Sequence, residues 1–226
     1  MHLLFDLDGT LSDPFLGITT CIQYALAGLG HPAPPAENLR WCIGPPLKET
    51  FAELLGAQEA HRADEALAKY RERFGTVGLF ENRLYPQMEA ALHELCREGY
   101  ILSVATSKPT VFAARIIEHF GLKKYFRSVD GSELDGTRTD KADLIAHILR
   151  RDGLAPNDVM MIGDRKHDII GARKNGVRGV GVLWGYGTYE ELNAAGARVC
   201  VAAPLELSAV ARTISDVAAA RRTVVS

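Results

Sequence analysis

Four short apolar runs punctuate the chain, at residues 3–5, 101–105, 159–162 and 180–184, and each stops abruptly at a polar residue or a glycine: Asp6, Thr106, Gly163-Asp164 and Gly185. Continuous rather than alternating apolar runs suit strands covered on both faces, as in a parallel sheet. Between them lie segments of helical spacing at 111–120, 141–149 and 169–174. The first and third end at Gly121 and Asn175-Gly176, residues suited to the left-handed turn that follows a helix. This alternation predicts a doubly wound α/β core. Residues 14–84 read differently. Ile18, Ile22, Ala25, Leu26 and Leu29 share one helical face, Pro32-Ala33-Pro34-Pro35 breaks the pattern, and helical spacing resumes at 47–55 and 59–74. We therefore expect an α-helical insert at 14–84 after the first strand, with 1–13 and 85–226 forming the core and the Ala-rich stretch 202–220 a terminal helix. The chain of 226 residues is long enough for one medium domain and a smaller one.

Charge narrows the function classes. A formal net charge of -2 provides no broad positive field for nucleic acid or anionic lipid, so an anionic ligand must be held locally. A nucleic-acid role would rest on Arg221-Arg222 and scattered lysines, which a solvated tail explains more simply. Cys21, Cys42, Cys96 and Cys200 are too widely spaced for a zinc or redox pair and suit thiols in a reducing compartment. The chain opens directly into an apolar run without a charged leader, and no apolar run approaches the ~20 residues that span a bilayer. The expectation is a cytoplasmic protein, monomeric or weakly dimeric, acting on a small molecule.

Candidate chemistry sits where the apolar runs stop. Asp6-Leu7-Asp8-Gly9-Thr10 places two carboxylates just beyond a strand's carboxyl end, the usual ligand edge of an open α/β sheet, with Gly9 allowing the chain to turn. One aspartate, Asp6, can attack phosphorus, and the other, Asp8, can serve as acid and base. A lone Asp-x-Asp-Gly is equally a strand-to-turn junction. Asp164 could join Asp6 and the backbone carbonyl of Asp8 in an oxygen-only site suited to Mg2+, while Asp168 reads as a helix cap, an anchor behind that site, or both. The hydroxyls of Thr106 and Ser107 could hold a phosphoryl oxygen, with helix capping the better account of Ser107. Lys141, in the first turn of a helix, opposes the helix dipole. Contact with a nucleophile and a phosphoryl group would explain it, as would pairing with Asp140 and Asp143 at the surface.

Together, Asp6-Leu7-Asp8-Gly9-Thr10, Thr106, Lys141 and Gly163-Asp164 with Asp168 resemble the haloacid dehalogenase superfamily of phosphohydrolases, over essentially the whole chain. That resemblance implies a Rossmann-like sheet with a four-helix cap, Asp6 as nucleophile, Asp8 as acid and base, Thr106 and Lys141 on the phosphate, and Mg2+ on Asp6, Asp8 and Asp164. Gly9 and Ser107 would line the phosphate site. Softer features, among them Ile43-Gly44-Pro45-Pro46-Leu47, Asp135-Gly136-Thr137-Arg138 and Gly185-Tyr186-Gly187, are similar to the phosphoglycolate phosphatase group and, within it, to bacterial 5'-nucleotidases. In relatives with this cap the turn between its first two helices selects the leaving group. Arg40 and Lys48 occupy that region here, and both read equally well as solvated surface charges. Asp8 argues against a dehalogenase, which needs no acid for an alkoxide. A phosphomutase would share acid and metal, and a non-catalytic binding module would not need every one of these side chains. The insert's position implies opening and closing, with hinges near 13–16 and 80–85.

Overall fold

In the computed structural model the backbone is described for residues 1–223 and the side chains for residues 1–216, so Arg221 and Arg222 lie outside the described side chains. The chain divides into two units: Met1–Leu11 with the described residues from Leu84 on, and Ser12–Arg83.

The first unit is built on a six-stranded parallel sheet in the order β5-β4-β1-β6-β7-β8. Its strands are β1 (His2–Phe5), β4 (Ile101–Pro109), β5 (Phe126–Ser132), β6 (Val159–Gly163), β7 (Arg178–Val182) and β8 (Val199–Val201). Its helices are α4 (Met88–Arg97), α5 (Thr110–His119), α6 (Lys141–Asp152), α7 (Lys166–Lys174), α8 (Tyr189–Ala195) and α9 (Glu206–Thr223). β1 pairs with β4 on one side and β6 on the other. The chain therefore runs outward from β1 to β5 and then crosses back to β6, which makes the β1/β6 junction the topological switch point. Leu3, Leu4, Phe5, Val104, Ala105 and Met161 are wholly inaccessible, as continuous apolar strands under helices on both faces require. β7 ends at Val182, two residues before the apolar run does, because Trp184 turns to meet the first loop. At the start of the unit's second segment, the Tyr85 amide donates to the Leu11 carbonyl at 3.2 Å, joining the two lengths of chain that bracket the insert.

The second unit carries α1 (Phe15–Gly28), α2 (Leu47–Glu59) and α3 (Ala63–Phe74); β2 (Ser12–Asp13) pairs with β3 (Arg83–Leu84). Of four expected cap helices, three are α-helices; the segment after the proline break, Ala36–Cys42, is 3₁₀. α2 is interrupted at Gly56, whose φ of 75° no other residue type adopts readily. Ile18, Ile22, Ala25 and Leu26 line the buried face of α1, and Tyr70 stacks on Phe74 at 5.1 Å. Arg73 forms a two-pronged ion pair with Glu81 at 2.6 and 2.8 Å. No helix among the described residues is long and apolar enough to cross a membrane.

Close backbone approach decides one residue of the second unit. A Cβ on Gly17 would lie 2.1 Å from the Gly78 carbonyl oxygen. Gly17→Ala is expected to destabilise the protein by about 1–3 kcal/mol despite alanine's better helix propensity, read as a lowered midpoint in urea unfolding.

Candidate active site

Lys141 begins α6 directly after its N-cap, Asp140, whose carboxylate accepts from the Ala142 and Asp143 amides at 2.7 and 3.2 Å. The lysine side chain turns inward. Its Nζ lies 3.0 Å from Asp6 Oδ1 and 2.8 Å from Asp168 Oδ1, and donates to the Ala105 carbonyl at 2.8 Å. Burial alone would lower its pKa, but Asp168 and Asp6 outweigh that and hold the ammonium above its usual range. These carboxylates, rather than surface pairing with Asp140 and Asp143, offset its unfavourable place in the first turn.

Asp6 follows β1, and its Oδ1 also accepts from the Leu7 amide at 2.8 Å. Asp164 follows β6, and the switch-point topology sets the two strand ends side by side. Asp6, Asp164 and Asp168 each offer a carboxylate oxygen within 4.8 Å of the others. Glycines make this crowding possible. A Cβ on Gly9, whose φ is +81°, would lie 2.2 Å from Asp164 Oδ2, and one on Gly163 would lie 2.2 Å from Asp168 Cγ. Asp168 occupies the third position of α7 rather than its N-cap, which is Arg165; its Oδ2 accepts from the Arg165 amide at 3.1 Å. Capping and anchoring thus fall to one carboxylate, through its two oxygens.

Burial pushes the Asp164 carboxyl well above its ordinary range, and the nearby charges of Asp168 and Asp6 add to the effect. Asp168 is raised by burial too, against the pull of Lys141. Three clustered carboxylates facing one ammonium leave a surplus of negative charge in a site where charge is costly. An all-oxygen donor set with such a surplus fits a hard divalent cation.

Asp8 pairs with Lys108 at 2.8 Å, while its Oδ1 is buried with no hydrogen-bond partner among the described residues. Burial raises the Asp8 carboxyl and Lys108 opposes the shift. Lys108 was not singled out in the sequence as a site residue. Thr106 and Lys108 lie in the irregular end of β4, where its register with β5 shifts between Ala105 and Pro109, so the two-residue period of a regular strand does not point to the lysine. Thr106 is buried, and its hydroxyl accepts from the Lys108 amide at 3.3 Å. Ser107 donates to the Thr139 carbonyl at 3.0 Å. Neither caps a helix, correcting that account of Ser107: β4 continues to Pro109, which is itself the N-cap of α5. Arg40 and Lys48 belong to the second unit and are locally engaged, Arg40 over the Phe15 ring at 5.5 Å and Lys48 with Asp64 at 2.8 Å.

The family model of the haloacid dehalogenase-like hydrolases matches residues 3–182. The chain is 50% identical over 193 residues to a 5'-nucleotidase of Pseudomonas aeruginosa, covering 85% of this chain and 87% of the relative. It is 38% identical over 185 residues to tyrosine-protein kinase PtkA of Mycobacterium tuberculosis, covering 82% of this chain but only 62% of that protein. The crystal structure of a predicted phosphatase from Clostridium acetobutylicum superposes with a TM-score of 0.89 at 42% identity, over 94% of this chain and 98% of that one. The chain belongs to the haloacid dehalogenase-like hydrolases, as a phosphoric monoester hydrolase of that family.

Proposed function

We propose that the chain hydrolyses the phosphate ester of a small cytoplasmic metabolite, with 5'-nucleotides the favoured substrates, through a phosphorylated Asp6 and with Mg2+ held by Asp6, Asp164 and the backbone of Asp8. The observation that carries this reading is the convergence of Asp6, Lys141, Asp164 and Asp168 from three separate strand–loop junctions into one buried cluster. The 5'-nucleotidase relative supports the substrate class.

Lys141 and the Leu7 amide both address Oδ1 of Asp6, which orients the carboxylate and leaves Oδ2 to attack. Attack forms the Asp6 O–P bond and breaks the bond from phosphorus to the leaving oxygen, which takes a proton from Asp8. Burial favours the protonated form of Asp8 and Lys108 the carboxylate, which suits a group that gives a proton and takes one back, and their 2.8 Å contact fixes its orientation. In the second half, Asp8 accepts a proton from water as the water oxygen bonds to phosphorus. The Asp6 O–P bond then breaks, releasing inorganic phosphate and restoring the carboxylate. Thr106 offers its hydroxyl and Lys141 its charge to the phosphoryl oxygens, while Ser107, whose hydroxyl is engaged by the Thr139 carbonyl, braces the same strand edge. The cation supplies charge neutralisation for the phosphate dianion among the carboxylates.

Asp6→Asn should lower turnover by on the order of 10⁶, to background, while the circular dichroism spectrum is retained. Asp8→Asn should cost about 10²–10⁴ in kcat. Magnesium at about 100 times its Kd should raise the wild-type melting midpoint by about 5–10 °C. In Asp164→Asn that rise should vanish, while the metal-free midpoint stays level or increases because one surplus charge is gone; a full magnesium response in this variant would refute the assignment. A panel of nucleoside monophosphates, phosphoglycolate and sugar phosphates, with liberated phosphate measured at subsaturating concentration, should give the highest kcat/KM for a nucleoside monophosphate. Preference for phosphoglycolate would replace the substrate class and leave the chemistry standing.

A further inference from the structure

The loop after β7, Leu183-Trp184-Gly185-Tyr186-Gly187, takes no part in the steps above, yet its backbone lies against Asp164. The Tyr186 amide donates to Asp164 Oδ2 at 2.8 Å. The other oxygen, Oδ1, accepts from the Thr10 hydroxyl at 3.2 Å. These two supports are themselves connected, because the Trp184 indole N–H donates to the Thr10 carbonyl at 2.9 Å. No side chain fits between the loops: a Cβ on Gly185 would lie 2.3 Å from the Gly9 carbonyl oxygen and 2.4 Å from Asp164 Cβ, and one on Gly187 would lie 1.9 Å from the Asp164 carbonyl oxygen.

We propose that Trp184 is a positioning residue for the cation site, tying the loop after β7 to the loop after β1 so that Asp164 is held with both carboxylate oxygens fixed. The inference rests on the reading that Asp164 holds a cation. Asp164 is fully buried beside Asp6 and Asp168, so like-charge repulsion favours any rotation that separates them. Fixing the carboxylate before the cation arrives removes the ordering cost from binding, and groups that orient metal ligands commonly govern affinity by 10–100-fold. The Trp184 indole crosses from one loop to the other, and its N–H is the one polar atom it has to give.

The test is a magnesium titration of the full chain by isothermal calorimetry. Trp184→Phe keeps an aromatic ring but loses the N–H, and should weaken magnesium binding about tenfold, with activity recovered as magnesium is raised. Thr10→Val should weaken binding similarly and Thr10→Ser should restore it, a rescue that packing alone would not produce. Unchanged magnesium affinity in a folded Trp184→Phe overturns the proposal, whatever Thr10→Val does. If Trp184→Phe fails to fold by circular dichroism, Trp184→Met, which also lacks the N–H, decides: wild-type affinity overturns the proposal, and binding weakened about tenfold supports it. A wild-type chain that binds no magnesium overturns the cation reading itself, a result distinct from equal binding by wild type and variants.

Discussion

A buried ammonium shared by two carboxylates is the constraint on which the site depends. Lys141 reaches Asp6, Asp168 and the Ala105 carbonyl at once, so the end of β1, the middle of β4 and the first turns of α6 and α7 meet at one nitrogen. Removing that charge would leave Asp6 and Asp168 facing each other without compensation in a dry site, a change commonly costing about 3–5 kcal/mol for a buried pair. The same contact that orients the Asp6 carboxylate also holds the switch-point crevice together.

Charge is unevenly distributed around this point. Asp8 has its own cation in Lys108, and Asp168 shares Lys141, whereas Asp164 is supported by two neutral donors, the Thr10 hydroxyl and the Tyr186 amide. Neutral donors orient a carboxylate without cancelling its charge. Asp164 accordingly keeps its electrostatic demand for a further positive partner, and the raised carboxyl pKa expresses that demand.

The central strands were legible because burial on both faces produces uninterrupted apolar runs, and Asp6, Asp164 and Thr106 were legible because they stop those runs. β5 was missed because it lies at the sheet edge and carries Arg127, which is exposed, and Ser128 and Asp130, which are satisfied by Ser103 and Arg151 from other elements. β8, at the other edge, is only three residues long. The pairing of Asp8 with Lys108 joins the loop after β1 to β4, far apart in the chain, so no local pattern announces it, and the register shift of β4 between Ala105 and Pro109 hides the lysine's direction. The position of Lys141 at a helix start was readable from Thr139-Asp140, but its inward direction depends on carboxylates brought there by other strands.

The hydrogen bond from the Tyr85 amide to the Leu11 carbonyl has a consequence for how such a chain diversifies. Because the scaffold already holds the two cut ends of its main body at bonding distance, whatever sequence is spliced between them adds little closure entropy, which grows only as the logarithm of loop length. Ser12–Arg83 can therefore be exchanged as a cassette while the cluster around Lys141, built wholly from the first unit, keeps its contacts.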